Sequence, residues 1–396
     1  MTTATDSTWL VSADDHVTAP RNVWVDRLPS KYADVGPRVV RETTAVNPKN
    51  HLGELVFDSG EKTADFWCFE DVKMPLMKGE NAVGFEIDER YSVPMTYDEI
   101  RLGCYDQKAR LADMDRAGVE ASLCFPNFFP RFAGQYFVDA KDKELALLCV
   151  QAYNDWMLEE WCAGSNGRLV PLGILPGWDV ALCAAEADRV GPLGMRAFTF
   201  SEAPARIGLP SIASGKWDPF FAACEANQIV VAMHIGSAPP ISPSEDTAPG
   251  TQSALLACNS ATAMLDWVSA GVFERFKGLK VLLAESNIGW IPYFLERLDH
   301  VWEHNRAWNG IWNVLPNPPS TYFPNHVYAT FFDDEYGLKH ADEIGVDNIL
   351  FEMDYPHGDT NWPDSLDFAQ RMTATVGPEN QRKILRENAR QLLRLD

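Results

Sequence analysis

Positive charge is scarce in this chain: 34 lysines and arginines stand against 56 aspartates and glutamates, a formal net charge of −22 over 396 residues. Nucleic-acid backbones and anionic membrane surfaces both require basic surface, so neither is expected as a general partner. The eight cysteines include no CxxC pair and several fall in apolar patterns, which reads as reduced thiols rather than a disulfide framework. No stretch approaches the roughly eighteen uninterrupted apolar residues of a membrane span, and Met1 to Thr8 lacks the apolar segment of a secretory signal. A cytoplasmic protein is therefore expected. No GxGxxG follows a strand-like segment, which counts against a dinucleotide-binding open sheet.

What the chain does contain is repetition. Short apolar segments begin near residues 9, 119, 168, 195, 229, 279, 327 and 348, each followed by a loop or an amphipathic stretch. Helical patterns cover 108–117, 139–163, 180–190, 217–227, 255–270, 291–307 and 336–344. Eight such units in this order predict an α/β fold, a (β/α)8 TIM barrel, as a single domain over residues 1–396. Residues 17–105 break the alternation. Extended pieces such as Glu54–Phe57 and Asp65–Phe69 lie there between Pro- and Gly-containing turns, which suggests an irregular insertion or lid after the first strand.

In a barrel all C-terminal strand ends meet at one rim, so distant residues converge without a local motif. Asp14 and His16 follow the first strand, His234 the fifth, Glu285 the sixth and Asp354 the eighth. Like-charged carboxyls at close range in a partly dry cavity cannot all stay ionised, and a divalent metal resolves that cost. All five are candidate metal ligands. Glu285, Asp354 and His357 are the candidate catalytic groups, with His357 placed to touch substrate or metal. Asp15 reads as exposed or capping, and His51, His326 and His340 fall in loop-like or exposed contexts. On the helix after the sixth strand, Glu296, His300 and His304 share a face; His304 is kept as a further candidate ligand. Phe125, Asn127 and Trp290 are candidate substrate contacts, and Phe128, Phe129, Phe132, Tyr136 and Phe137 would line an apolar pocket.

The segments Ser12-Ala13-Asp14-Asp15-His16-Val17-Thr18-Ala19-Pro20, Met233-His234-Ile235-Gly236-Ser237, Glu285-Ser286-Asn287-Ile288-Gly289-Trp290-Ile291-Pro292 and Asp354-Tyr355-Pro356-His357 together resemble the amidohydrolase-related family 2. The resemblance implies a metal held by Asp14, His16, His234 and Asp354. Two departures stand out: Thr18 occupies the place of a second His, and Glu285 stands where hydrolytic relatives commonly carry His. Both make the site richer in carboxylate, which suits iron or manganese more than zinc.

The block from Glu285 to Pro292 is similar to a branch that includes the nonheme diiron monooxygenase of platensimycin and platencin biosynthesis. That likeness implies two iron ions, O2, an external electron donor and hydroxylation of a bulky, CoA-linked substrate, with Arg21, Arg27, Lys31, Arg38 and Arg41 as candidate phosphate contacts. A homo-oligomer is also expected. The alternative is a metal-dependent hydrolase or decarboxylase using zinc or manganese and a metal-activated water.

Overall fold

A computed structural model describes residues 9–46, 60–90, 92–127, 129–241, 244, 247 and 249–395. The extended piece expected at Glu54–Phe57, the pocket residue Phe128 and His51 lie outside the described residues. Twelve strands occur among the described residues: β1 (Leu10–Val17), β2 (Arg38–Val46), β3 (Gly60–Phe69), β4 (Val72–Pro75), β5 (Val119–Pro126), β6 (Leu169–Val170), β7 (Leu172–Gly173), β8 (Ala197–Phe200), β9 (Val230–His234), β10 (Val281–Ala284), β11 (Val327–Phe331) and β12 (Ile349–Phe351).

All of these except β2, β3 and β4 form the barrel, in the parallel orders β1-β5-β6 and β7-β8-β9-β10-β11-β12. Pro171 separates β6 from β7. It cannot donate to a ladder, so what the sequence presents as one third strand changes partner there. The other seam closes beyond β12, where Asp354 donates its backbone N–H to Asp14 O (3.1 Å) and His16 donates to Tyr355 O (2.6 Å). Closure thus fixes the two strand ends that carry Asp14, His16 and Asp354 against each other.

The strands are apolar on both faces, as a parallel sheet requires. Within β9, Val230 and Ala232 point into a core with Leu123, Leu172, Leu282 and Leu350, while Val231 and Met233 pack outward under the helices. Ala389, Leu392 and Leu393 of the C-terminal helix join that inner core. Local signals set the helix ends: Asp106 caps Gln107–Ala117 by accepting from Ala109 N (2.9 Å), and Gly118, at φ 70°, ends that helix in the left-handed region.

The insertion carries a three-stranded antiparallel sheet, β2-β3-β4, with β2 paired to β3 from Arg38↔Cys68 to Val46↔Gly60. Trp67 of β3 stacks on Phe129 (ring centroids 4.9 Å apart), and Trp24 meets both edge-on. Asp65 pairs with Arg21 and Arg41, Arg27 pairs with Glu159 and Glu160, and Lys31 pairs with Glu144. Four of the five cations proposed for CoA phosphates are therefore engaged in ion pairs within the chain. No helix among the described residues is long and apolar enough to cross a membrane.

Candidate metal centre

Strand geometry delivers the central residues. The inward alternation of Val230 and Ala232 continues to His234, and that of Leu350 continues through Glu352 to Asp354. Asp14, His16 and His234 are completely buried, and Asp354 is nearly so. Asp14, His16 and His234 bring ligand atoms within 4.8 Å of one another, and so do His16, Asp354 and His357. His16 Nε2 stands 3.0 Å from His234 Nε2, 3.7 Å from Asp14 Oδ1 and 3.4 Å from Asp354 Oδ1. His234 Nε2 lies 3.3 Å from Asp14 Oδ2 and 3.4 Å from Glu285 Oε2. Because His234 Nδ1 is 2.5 Å from the Ile235 carbonyl, its proton belongs there, which leaves Nε2 as a lone pair aimed at the carboxylates.

Both Asp14 carboxylate oxygens and His16 Nδ1 are buried without a hydrogen-bond partner among the described residues. Unsatisfied buried acceptors beside two imidazoles are an expensive arrangement for the protein alone. Burial, reinforced by Glu352, Asp354 and Glu285, drives the Asp14 carboxyl well above the usual range. Burial, reinforced by Asp354 and Glu352, does the same to Glu285. Burial also lifts Glu352 to about 8 and pushes the imidazoles down, His16 well below its ordinary value and His234 to about 4. Asp354 departs from this pattern. Burial opposes its charge, but His357, with Nδ1 2.9 Å away, and His16 hold the carboxyl below the usual range. The same pairing outweighs burial in His357 and raises its imidazole. A divalent cation would relieve the repulsion, and mixed imidazole and carboxylate donors fit one.

Glu285 and Asp354 are also strained. Their φ values are 54° and 53°, in the left-handed region that costs a side-chain-bearing residue about 1–2 kcal/mol. Hydrogen bonds hold the conformations: Glu285 N donates to Thr330 Oγ1 (2.8 Å) and Glu352 Oε2 (3.0 Å), and Asp354 N to Asp14 O. Such strain at two rim carboxylates aims their side chains where an unstrained strand end would not.

Phe125 and Phe132 lie against the imidazoles, with ring centroids 5.2 and 4.4 Å from His234. Asn127 Nδ2 donates to Thr18 Oγ1 (3.0 Å) and Glu80 O (2.7 Å), while its Oδ1 meets His357 Nε2 at 3.2 Å. Thr18, standing where a second ligand His was looked for, donates to Asn81 Oδ1 (2.6 Å) and so ties the insertion to the rim. Trp290 is half-buried and donates its indole N–H to Ser286 O. Phe129 and Phe137 pack around Trp24 instead of facing the centre, and Tyr136 stacks on Phe129.

His304 is not brought to the cluster. It is exposed at the last turn of the helix Ile291–His304, stacked on His300. A helix returning from the rim carries its C-terminus away from the site, by about 20 Å over fourteen residues. Asp15 is fully buried rather than exposed, taking bonds from Ser12 Oγ (3.0 Å), Ser122 Oγ and Tyr355 N (3.0 Å). His326 is also buried, stacked on Phe273. Glu352, Thr330 and Glu80 were missed by the sequence reading, whereas Phe132, expected to line an apolar pocket, does lie against the imidazoles. The period-2 alternation through Leu350 and Glu352 would have exposed the first; for Glu80, in the insertion, no sequence signal existed.

A buried imidazole and carboxylate cluster at the C-terminal rim of a (β/α)8 barrel defines a metal-site barrel protein. The chain belongs to the amidohydrolase 2 family, whose model matches residues 99–395. It is 24% identical over 316 residues to the gamma-resorcylate decarboxylase of Rhizobium radiobacter, covering 73% of this chain and 88% of that protein. In fold it is similar to the amidohydrolase map2389c from Mycobacterium avium subsp. paratuberculosis K-10 (TM-score 0.70, 20% identity, 97% of this chain and 99% of that one). It is similar as well to a dihydroxybenzoic acid decarboxylase from Polaromonas sp. JS666 with bound manganese and the inhibitor 2-nitroresorcinol (TM-score 0.59, 23% identity, 75% and 89%).

These relatives overturn the monooxygenase expectation. The gamma-resorcylate and dihydroxybenzoic acid relatives are decarboxylases, not O2-dependent oxidoreductases, and they match the alternative instead. The diiron reading falls with it: the extra ligand it drew on, His304, sits exposed at the far end of its helix.

Proposed function

We propose that the protein is a metal-dependent, non-oxidative decarboxylase of a hydroxy-substituted aromatic carboxylic acid. The observation that carries the reading is the gathering of Asp14, His234 and Asp354 around His16, with Glu285 Oε2 3.4 Å from His234 Nε2 at the edge of the same donor set. These four side chains would hold one divalent ion, and manganese, named in a related decarboxylase structure, suits them. When bound, such an ion supplies a Lewis acid for the oxygens of an aryl carboxylate.

The chain's own residues account for the rest. Phe125 and Phe132, against the imidazoles, provide a flat apolar wall for an aromatic ring. Loss of CO2 leaves an electron pair on the ring carbon, and that carbon must receive a proton. Glu285, whose burial favours its neutral form, holds such a proton at the edge of the cluster and would deliver it there. His357, held between Asp354 and Asn127, would keep positive charge beside the departing carboxylate. The balance is aryl carboxylate plus a proton giving arene plus CO2, and Glu285 recovers its proton from water.

The test is anaerobic incubation of manganese-loaded protein with 2,6-dihydroxybenzoate and other hydroxybenzoates. Release of CO2 and the matching phenol without O2 is the expected result. Fully metallated protein that leaves all of them intact yet cleaves an amide or ester would return the reading to hydrolysis.

A further inference from the structure

The base of the barrel, opposite the metal centre, is also hollowed. Between the N-terminal ends of β5, β6 and β8 and the C-terminal helix lies a pocket of about 430 Å³. Its polar walls are Arg168, Arg196, Arg390, Arg394 and Glu120. In a chain of net charge −22 this concentration of guanidinium groups is against the trend.

Their partners divide them into two sets. Arg168 is committed to the fold: it pairs with Asp115 (2.7 Å) and donates to Glu120 O (3.0 Å) and Val119 O (2.9 Å). Arg390 and Arg386 share the single carboxylate of Glu120. Arg394, by contrast, donates through Nη1 to the neutral Gln228 (3.0 Å), and its buried Nε has no partner among the described residues. Arg196 has no side-chain hydrogen bond or ion pair among the described residues, and its charge, after burial, works against that of Arg394. Arg196 and Arg394 thus face the pocket without a carboxylate partner among the described residues. Keeping two guanidinium groups uncompensated at close range costs stability that a bound anion would return.

We propose that this pocket binds a small organic phosphate ester, with Arg196 and Arg394 as the residues that hold its phosphate. Guanidinium forks match phosphate oxygens in bidentate geometry. The pocket is much larger than an inorganic ion needs. Its remaining wall, with Leu158, Leu193 and Leu395, is apolar and suits the organic body of an ester.

Binding is measured by calorimetry on the metal-loaded protein at fixed ionic strength, with phenyl phosphate and inorganic phosphate as probes. One equivalent of phenyl phosphate is expected to bind saturably, at least about tenfold more tightly than inorganic phosphate. Arg196→Gln and Arg394→Gln are each expected to weaken it by about tenfold or more, because a charge-assisted hydrogen bond contributes about 1.5–3 kcal/mol and 1.4 kcal/mol is tenfold. Circular dichroism and decarboxylase turnover without the probe should stay unchanged in both variants. Absence of saturable binding up to about 10 mM, or unchanged binding in both folded variants, would overturn the site. Equal affinity for the two probes would overturn the ester.

Discussion

The two ends of the barrel leave opposite charges uncompensated. At the C-terminal rim, Asp14, Glu285, Glu352 and Asp354 crowd around two imidazoles that burial keeps neutral, and His357, raised by its pairing with Asp354, leaves the acids in excess. At the base Glu120 is shared by Arg386 and Arg390, and Arg168 has Asp115, yet Arg196 and Arg394 lack anionic partners among the described residues. Stability alone favours pairing, as Arg168 with Asp115 illustrates. Where a fold forgoes pairing for enclosed or partly enclosed groups, a bound ion of the opposite charge would restore the balance. The rim also carries left-handed backbone at two of its acids, Glu285 and Asp354. Strain and missing charge together mark the rim as the seat of chemistry.

Removing the rim's donors should have the largest effect. His234→Ala or Asp14→Ala is expected to lose bound metal and at least about a thousandfold of turnover, with the barrel intact because its stability rests on the packed interior. Metal analysis beside circular dichroism checks it. Normal metal content in a folded variant would take that residue out of the donor set.

Glu285→Gln comes next. It keeps the shape, the strained turn and the bond from the backbone N–H to Glu352, but removes the transferable proton. Turnover should fall by about a hundredfold to ten-thousandfold with metal retained, the usual scale for loss of a general acid. Loss of metal instead would make Glu285 a ligand, and unimpaired turnover would leave it a structural residue.

A smaller effect follows from pH. Groups raised on folding, such as Glu352 at about 8, bind more protons in the folded state, so their contribution is complete at low pH and is lost as pH rises through the folded value. The lowered imidazoles act in the other direction, but only below about 6.5. Between pH 6.5 and 8 the acids and the raised His357 act together, and metal-free protein should lose stability. Glu352 alone contributes about 2 kcal/mol across that window. Metal should reverse the trend, since it binds the ionised carboxylates. Thermal midpoints with and without manganese measure this; a flat metal-free profile would mean that Glu352 is ionised in the folded protein.

Most of the fold was legible because parallel strands covered on both faces are continuous apolar runs, and all eight segments became barrel strands. Strand-end position alone carried Asp14, His16, His234, Glu285 and Asp354 to one rim. What sequence could not supply was direction off the strands. Asp15 looked like a capping residue, yet the irregular pairing of β1 with β5 between Ser12 and Asp15 turns it into a buried site beside Ser122. Glu80 and Asn81 reach the rim only because the β2-β3-β4 insertion folds over it, which no periodicity announces.

The smallest effect belongs to His304, and it separates a shared helix face from a shared site. His300 and His304 do lie on one face, stacked with ring centroids 4.2 Å apart, as their spacing requires. But the face is solvated and the helix runs away from the rim, so the spacing that brought the two histidines together also carried His304 from the metal. His304→Ala should leave metal content and turnover unchanged and shift stability by no more than about 0.5 kcal/mol, the usual range for an exposed substitution. A variant that lost metal would mean that this helix turns back to the rim, and the contrast between the barrel's two ends would have to be redrawn from that point.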